Sequence, residues 1–300
     1  MKRFLSKFCL FALIIFIFFA GLVLFSDSII SRRKDNLLLL NKDIEYVFAG
    51  NSAVECAVND RLVEHSVNIA ESGEAYLYSY AKIKAIIEAN QQISTVFIGY
   101  SFADILLEKE ESWVYSDEFI IEKVQYYNYL LTPQDRMLLF TRNPRAYTKG
   151  LIKSVVNNLS TALRANSGPK SPGQLIKFGG YKYLIRDKLE VDPGVDLSND
   201  KPVKKSVQQE YYLTRISELC RESSVRLILL TTPKHISYTE NLDKTNLQLW
   251  SVVRKSLPSD SLLDLSTFTL PDSCFGDLSH LNYRGAEQFS RYLNELINHD

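Results

Sequence analysis

Short apolar runs alternate along this chain with stretches whose apolar residues recur every three or four positions, the pattern of a parallel sheet covered by helices. The first unit pairs a strand, IEYVFAG at 44–50, with a helix over SAVECAVNDRLVE at 52–64. The second runs from SVNIA at 66–70 through the turn ESG into a helix over about 74–90, where Tyr76, Tyr80, Ile83 and Ile87 share one face. Further strands are expected at 94–99, 225–233 and 261–266, the last leading into an amphipathic helix with Ala286, Phe289, Leu293 and Leu296 in one stripe. About five strands with helices between them predict an α/β layer fold.

Residues 105–204 break this rhythm. They are rich in aromatics and carry helix-start signals at TPQD and NPRAY, a loop SGPKSPG, and then FGGYKYLIRDK. They read as a mostly helical insertion packed over one end of the sheet, either a substrate lid or a partner-binding elaboration.

The strongest local anomaly is FCLFALIIFIFFAGLVLF, an uncharged run at 8–25. Its 18 residues span roughly 27 Å as a helix, near the hydrocarbon thickness of a bilayer. The expected organisation is a membrane anchor at 1–28, a juxtamembrane linker at 29–43 and an α/β domain at 44–300. Basic residues flank the run on both sides, Lys7 directly and Arg32 only after SDSII. That asymmetry favours the N-terminus inside and a periplasmic or cell-surface domain outside. A cleaved signal peptide is the rival, but no A-x-A precedes a cut site and the run is long for one, so an uncleaved signal anchor is expected. Cys9 reads as an apolar residue of the span.

Composition adds mainly exclusions. The 35 basic residues balance the 35 acidic ones, so no net field gathers nucleic acid. Cys56, Cys220 and Cys274 are an odd number without C-x-x-C or histidines at ligand spacing, so no metal or cofactor is expected, and at most one disulfide.

Serine chemistry needs a base to take the hydroxyl proton and a third group to orient that base. Ser52 follows Gly50-Asn51 at the end of the first strand, and Asp277 and His280 stand three apart in DLSH after the fifth. C-terminal ends of parallel strands share one rim, so the three can meet. Each also has an ordinary explanation: Ser52 as a helix N-cap, Asp277 as a turn residue, His280 as a structural histidine. On the same rim, His235 and Tyr238 of TTPKHISY can reach a substrate, or belong to a surface loop. Gly180 and Tyr181 of GGY can present backbone to a ligand, or form a simple turn. The tyrosines of 115–129 suit either sugar stacking or core, and Asn158-Leu159-Ser160 fits a glycosylation acceptor within a helix-like run.

AGNS at 49–52 resembles the first block of SGNH, or GDSL-type, hydrolases, and DLSHLNYRGAEQFSRYL at 277–293 resembles their last block, with Gly73 where the second-block glycine falls. The likeness covers roughly 44–104 and 205–297, in the manner of membrane-anchored SGNH-like proteins of bacterial surface-polysaccharide systems. It implies a three-layer flavodoxin-like fold, Ser52 as nucleophile, His280 as base, Asp277 as its partner, and an oxyanion hole of the Ser52 and Gly73 N–H groups. The family's third donor is the asparagine of a G-x-N-D block. Here that place reads GYSFAD at 99–104, leaving Ser101 or Tyr100 as nearest substitutes, and Asn51 stands where the family has aspartate. The implied function is an extracytoplasmic esterase or O-acyltransferase, O-acetyl in type, acting on a cell-envelope glycan or other acylated polymer. The alternative is a catalytically weak relative that binds polysaccharide or scaffolds an envelope complex with protein partners.

Overall fold

The computed structural model describes residues 2–31, 38–107, 110–165, 178–187, 189, 204–240 and 261–298. The predicted loop at 167–173 lies outside them, as do residues 32–37 of the expected linker. The chain forms two compact units, one of residues 1–39 and 115–177, the other of residues 40–114 and 178–300.

The second unit is built on a parallel sheet: β1 (Tyr46–Ala49), β2 (Ser66–Asn68), β3 (Thr95–Gly99), β4 (Arg226–Thr231) and β5 (Ser261–Asp264). Their spatial order is 2-1-3-4-5, the flavodoxin-like order of doubly wound sheets. Among the described residues, five α-helices accompany them, α2 (Ser52–Ala57), α3 (Tyr76–Ala89), α7 (Val207–Glu222), the short α8 (Ile236–Glu240) and α9 (Tyr283–Asn298). The register pairs Phe48 with Phe97 and Phe97 with Ile228. These side chains share one sheet face with Val54 and Ala57 of α2 and Phe289 and Leu293 of α9. The Phe48 and Phe97 rings stack with centroids 4.6 Å apart. Alternate strand residues, such as Val47, Val96, Ile98 and Leu229, are buried too and point to the opposite face. On α3 and α7, which pack together, Ile83, Ile86, Leu213 and Ile216 are also buried. Burial on both faces explains why the strands read as continuous apolar runs rather than alternating ones.

Helix α2 stops at Ala57 instead of running to 64. Asn68 occupies the place of the next turn: its Nδ2 donates to the Val58 carbonyl at 2.7 Å, which a longer helix would use, and at 3.3 Å to the Val54 carbonyl, which also keeps its helical bond from Val58 N–H.

The first unit joins α1 (Lys2–Ser31) to the insertion helices α4 (Asp117–Tyr127), α5 (Pro133–Arg142) and α6 (Pro144–Ala165). Both start signals act as expected. Thr132 and Asp135 form a capping box before Pro133, and Asn143 Oδ1 accepts from Ala146 N–H at 3.0 Å. Helix α1 is long and apolar enough to span a membrane. Its first two-thirds are exposed, whereas Val23, Ser26, Asp27 and Ile30 are buried, and α1 packs against α6.

Candidate active site

Ser52 enters the site through a backbone only glycine permits. Gly50 has φ +133°, and a side chain there would stand 3.1 Å from the Gly99 nitrogen; one on Gly99 would meet Val54 at 2.6 Å. This close approach of β1 and β3 lets the chain turn sharply into α2. Asn51, not Ser52, is the N-cap: its Oδ1 accepts from Ala53 N–H at 2.9 Å. The N-cap assignment for Ser52 is therefore corrected by one residue. With Asn51 satisfying the helix end, the Ser52 hydroxyl is available elsewhere.

It goes to His280. Ser52 Oγ lies 2.7 Å from His280 Nε2, across 228 positions of sequence. On the other side of the ring, Nδ1 lies 2.8 and 2.9 Å from the two carboxylate oxygens of Asp277. Asp277 Oδ1 also accepts from the backbone N–H groups of Ser279 and His280, both at 2.9 Å, so the tight D-x-x-H turn itself fixes the carboxylate. Burial acts to raise the Asp277 carboxyl. The hydrogen bond and charge of His280, with the Ser279 donors, outweigh it and hold the group well below the usual carboxylate range. An ionised carboxylate in this position keeps a proton on Nδ1 and leaves Nε2 to accept the serine hydrogen.

The turn carrying Gly73 is tied to the same corner. Glu71 N–H donates to Gly50 O at 3.0 Å and Glu74 N–H to Glu71 O at 3.1 Å, with Gly73 at φ +67°. Beneath it the fully buried Lys82 pairs with Glu74 and donates to Ile69 O at 2.5 Å and Phe178 O at 3.1 Å. A buried ammonium needs such a complete set of partners.

The substitutes expected for the third oxyanion donor are corrected. Ser101 Oγ donates to Asp104 Oδ2 at 2.7 Å and Ser101 N–H to the same oxygen at 2.9 Å, a capping box on the 3-10 turn Phe102–Ile105. The Tyr100 side chain is 1% exposed, enclosed below the rim. Asp104 instead receives Asn51 Nδ2 as well, so residues 51 and 104 couple the first and third strand ends through an amide and a carboxylate.

Of the tentative substrate contacts, His235 and Tyr238 are enclosed, and Gly180 and Tyr181 are half-buried. His235 is buried, with Nε2 3.2 Å from Asp272 Oδ1, Nδ1 accepting from Ser237 N–H, and its ring edge-on to Phe275. Tyr238 is buried, and Lys234 Nζ donates to Ser279 O at 2.9 Å. Residues 234–238 thus brace the Asp277 loop rather than line a cleft. Gly180 N–H donates to Ala70 O at 3.0 Å, and a side chain at Gly179 would stand 2.3 Å from that same oxygen. The glycines serve close packing against the end of β2, with Tyr181 half-buried beside them. Asn158, buried and 3.4 Å from Asp27, is no glycosylation acceptor. Of the tyrosines, Tyr127 is fully buried.

One residue with a direct role escaped the sequence reading. Arg186 Nη1 lies 3.1 Å from Asp277 Oδ2. Its segment straps the site: Lys182 N–H donates to Glu55 O of α2 at 2.8 Å, and Asn282 Nδ2 to Arg186 O at 2.9 Å. A model for an uncharacterised protein family matches residues 197–300, which hold Asp277 and His280 but not Ser52. No curated protein matches the chain.

Proposed function

We propose that this protein is an SGNH-like serine esterase or O-acyltransferase, anchored by α1 and acting outside the cytoplasm on an acylated cell-envelope glycan. The observation that carries the reading is the unbroken relay from Ser52 Oγ through His280 to Asp277. Ser52 Oγ attacks the ester carbonyl carbon while its proton passes to His280 Nε2. The tetrahedral oxyanion is held by the N–H groups of Ser52 and Gly73. Collapse breaks the carbon–oxygen bond to the leaving alcohol, which takes the proton from His280, and leaves an acyl group on Ser52. Water or a sugar hydroxyl, deprotonated by His280, then removes it.

A weaker, binding-only relative is favoured by one observation, the commitment of Ser101 to Asp104 where the family has an oxyanion-hole asparagine. Loss of one such donor costs about 10²–10³ in rate, which slows turnover without removing the acylation chemistry. Pre-steady-state hydrolysis of 4-nitrophenyl acetate separates the two: the enzyme reading expects a burst of nitrophenolate stoichiometric with protein, and the binding reading expects none.

A further inference from the structure

Within the first unit, the insertion helices meet α1 just beyond the end of its apolar run. The apolar run ends at Phe25, and Asp27 lies two residues, about 3 Å, further on. An acid there requires partners, and the insertion helices supply them. Asn128 Nδ2 donates to Asp27 at 2.9 Å, Arg136 of α5 lies 3.1 Å away, and Asn158 of α6 reaches it at 3.4 Å. Val23, inside the apolar run, is buried against this unit, so α6 packs at a depth that overlaps the last turns of the span.

The outward face of α6 matches that depth. Arg145, Lys149, Ile152, Val156 and Leu163 are exposed and fall on one helical face by their spacing. Ile152, Val156 and Leu163 are 48%, 57% and 73% exposed, and Met137 and Phe140 of neighbouring α5 add 61% and 45%. Val156 is two residues, about 3 Å along the axis, from Asn158. Asn158 touches Asp27 at 3.4 Å, so the stretch of α6 around Val156 lies alongside the end of the apolar run, where the headgroup layer of a bilayer is about 5–8 Å thick. Along this face the basic residues come first and the apolar ones follow, so a helix inclined into a bilayer surface sets its cationic end among the headgroups and its apolar end deeper.

We propose that the α5–α6 face is a membrane-interface surface: Ile152, Val156 and Leu163 enter the acyl boundary while Arg145 and Lys149 meet anionic headgroups. The inference rests on α1 spanning the membrane, and it makes the insertion a collar that fixes the helical unit against the bilayer.

The test uses the full chain with Cys9→Ala, in nanodiscs of phosphatidylcholine and phosphatidylglycerol. An environment-sensitive fluorophore is placed on single cysteines at Ile152, Val156, Leu13 of α1, or exposed Glu218 of α7. The proposal expects probes at 152 and 156 to be quenched by lipids labelled near the headgroup and shielded from iodide, with Glu218→Cys behaving oppositely. The double variant Arg145→Glu, Lys149→Glu is expected to lose the lipid quenching. Iodide quenching at 152 and 156 equal to that at 218 overturns the proposal, as does shielding from both quenchers, which marks a protein-covered face. Deep-lipid quenching of Leu13→Cys reports the span independently: its loss defeats the anchor, whereas its retention with iodide-quenched 152 and 156 defeats the collar alone.

Discussion

Arg186 Nη1 stands 3.1 Å from Asp277 Oδ2, so the carboxylate that orients His280 is held from a segment 91 positions away in sequence. The arginine side chain is 40% exposed, and an ion pair of that exposure contributes no more than about 1 kcal/mol to stability. Its effect should fall on orientation instead. Arg186→Met is expected to lower kcat for ester cleavage roughly 10- to 100-fold while KM and the unfolding midpoint change little, and Arg186→Lys to recover part of the rate. Steady-state kinetics on both variants checks this.

Asn51 has two duties, capping α2 and bonding Asp104. Asn51→Ala should therefore cost about 1 kcal/mol for the cap and more for the lost bond to Asp104 Oδ1. Asn51→Asp should keep the cap but set two carboxylates against each other. Denaturant unfolding is expected to rank wild type above Asn51→Asp at neutral pH, with the gap narrowing as pH falls and a carboxyl protonates.

Acid sensitivity follows from Asp277. Its folded carboxyl titrates below the value of about 3.9 for an unfolded aspartate. The ionised form therefore contributes stability that is fully present above that unfolded value and is lost as pH falls toward the folded one. The stability difference between wild type and Asp277→Asn should be constant near neutrality and shrink on acidification below about pH 4, as read by urea unfolding at several pH values.

The sheet and the meeting of Ser52, His280 and Asp277 were legible in the sequence because strand runs buried on both faces are strongly apolar, and parallel strands deliver their C-terminal residues to one rim. Ser52, Asp277 and His280 could be placed together on that logic alone. What was hidden depends on contacts between segments of no shared periodicity. Arg186 reaches Asp277 from an irregular strap, Asn68 takes the Val58 carbonyl just past α2, and Asn128 meets Asp27 across 101 positions. The same holds for His235, which looked rim-facing as the residue after a strand but turns inward onto Phe275.

The cysteines should be inert in the native state. Cys56 is buried, and desolvation, with the neighbouring Glu55 charge, pushes its thiol up to about 12. Burial also raises Cys274, and Cys220 is enclosed. Iodoacetamide at mildly alkaline pH is expected to leave these three unmodified until denaturant is added, as read by intact-mass spectrometry.

The central claim is that Ser52 is a nucleophile activated by His280. A fluorophosphonate probe applied to the full-length protein, followed by peptide mass spectrometry, tests it most directly. The account predicts one adduct per chain on Ser52, absent in Ser52→Ala and slowed by at least about 10³-fold in His280→Ala. A folded wild-type chain in which Ser52 stays unlabelled, or labels equally well without His280, would contradict it.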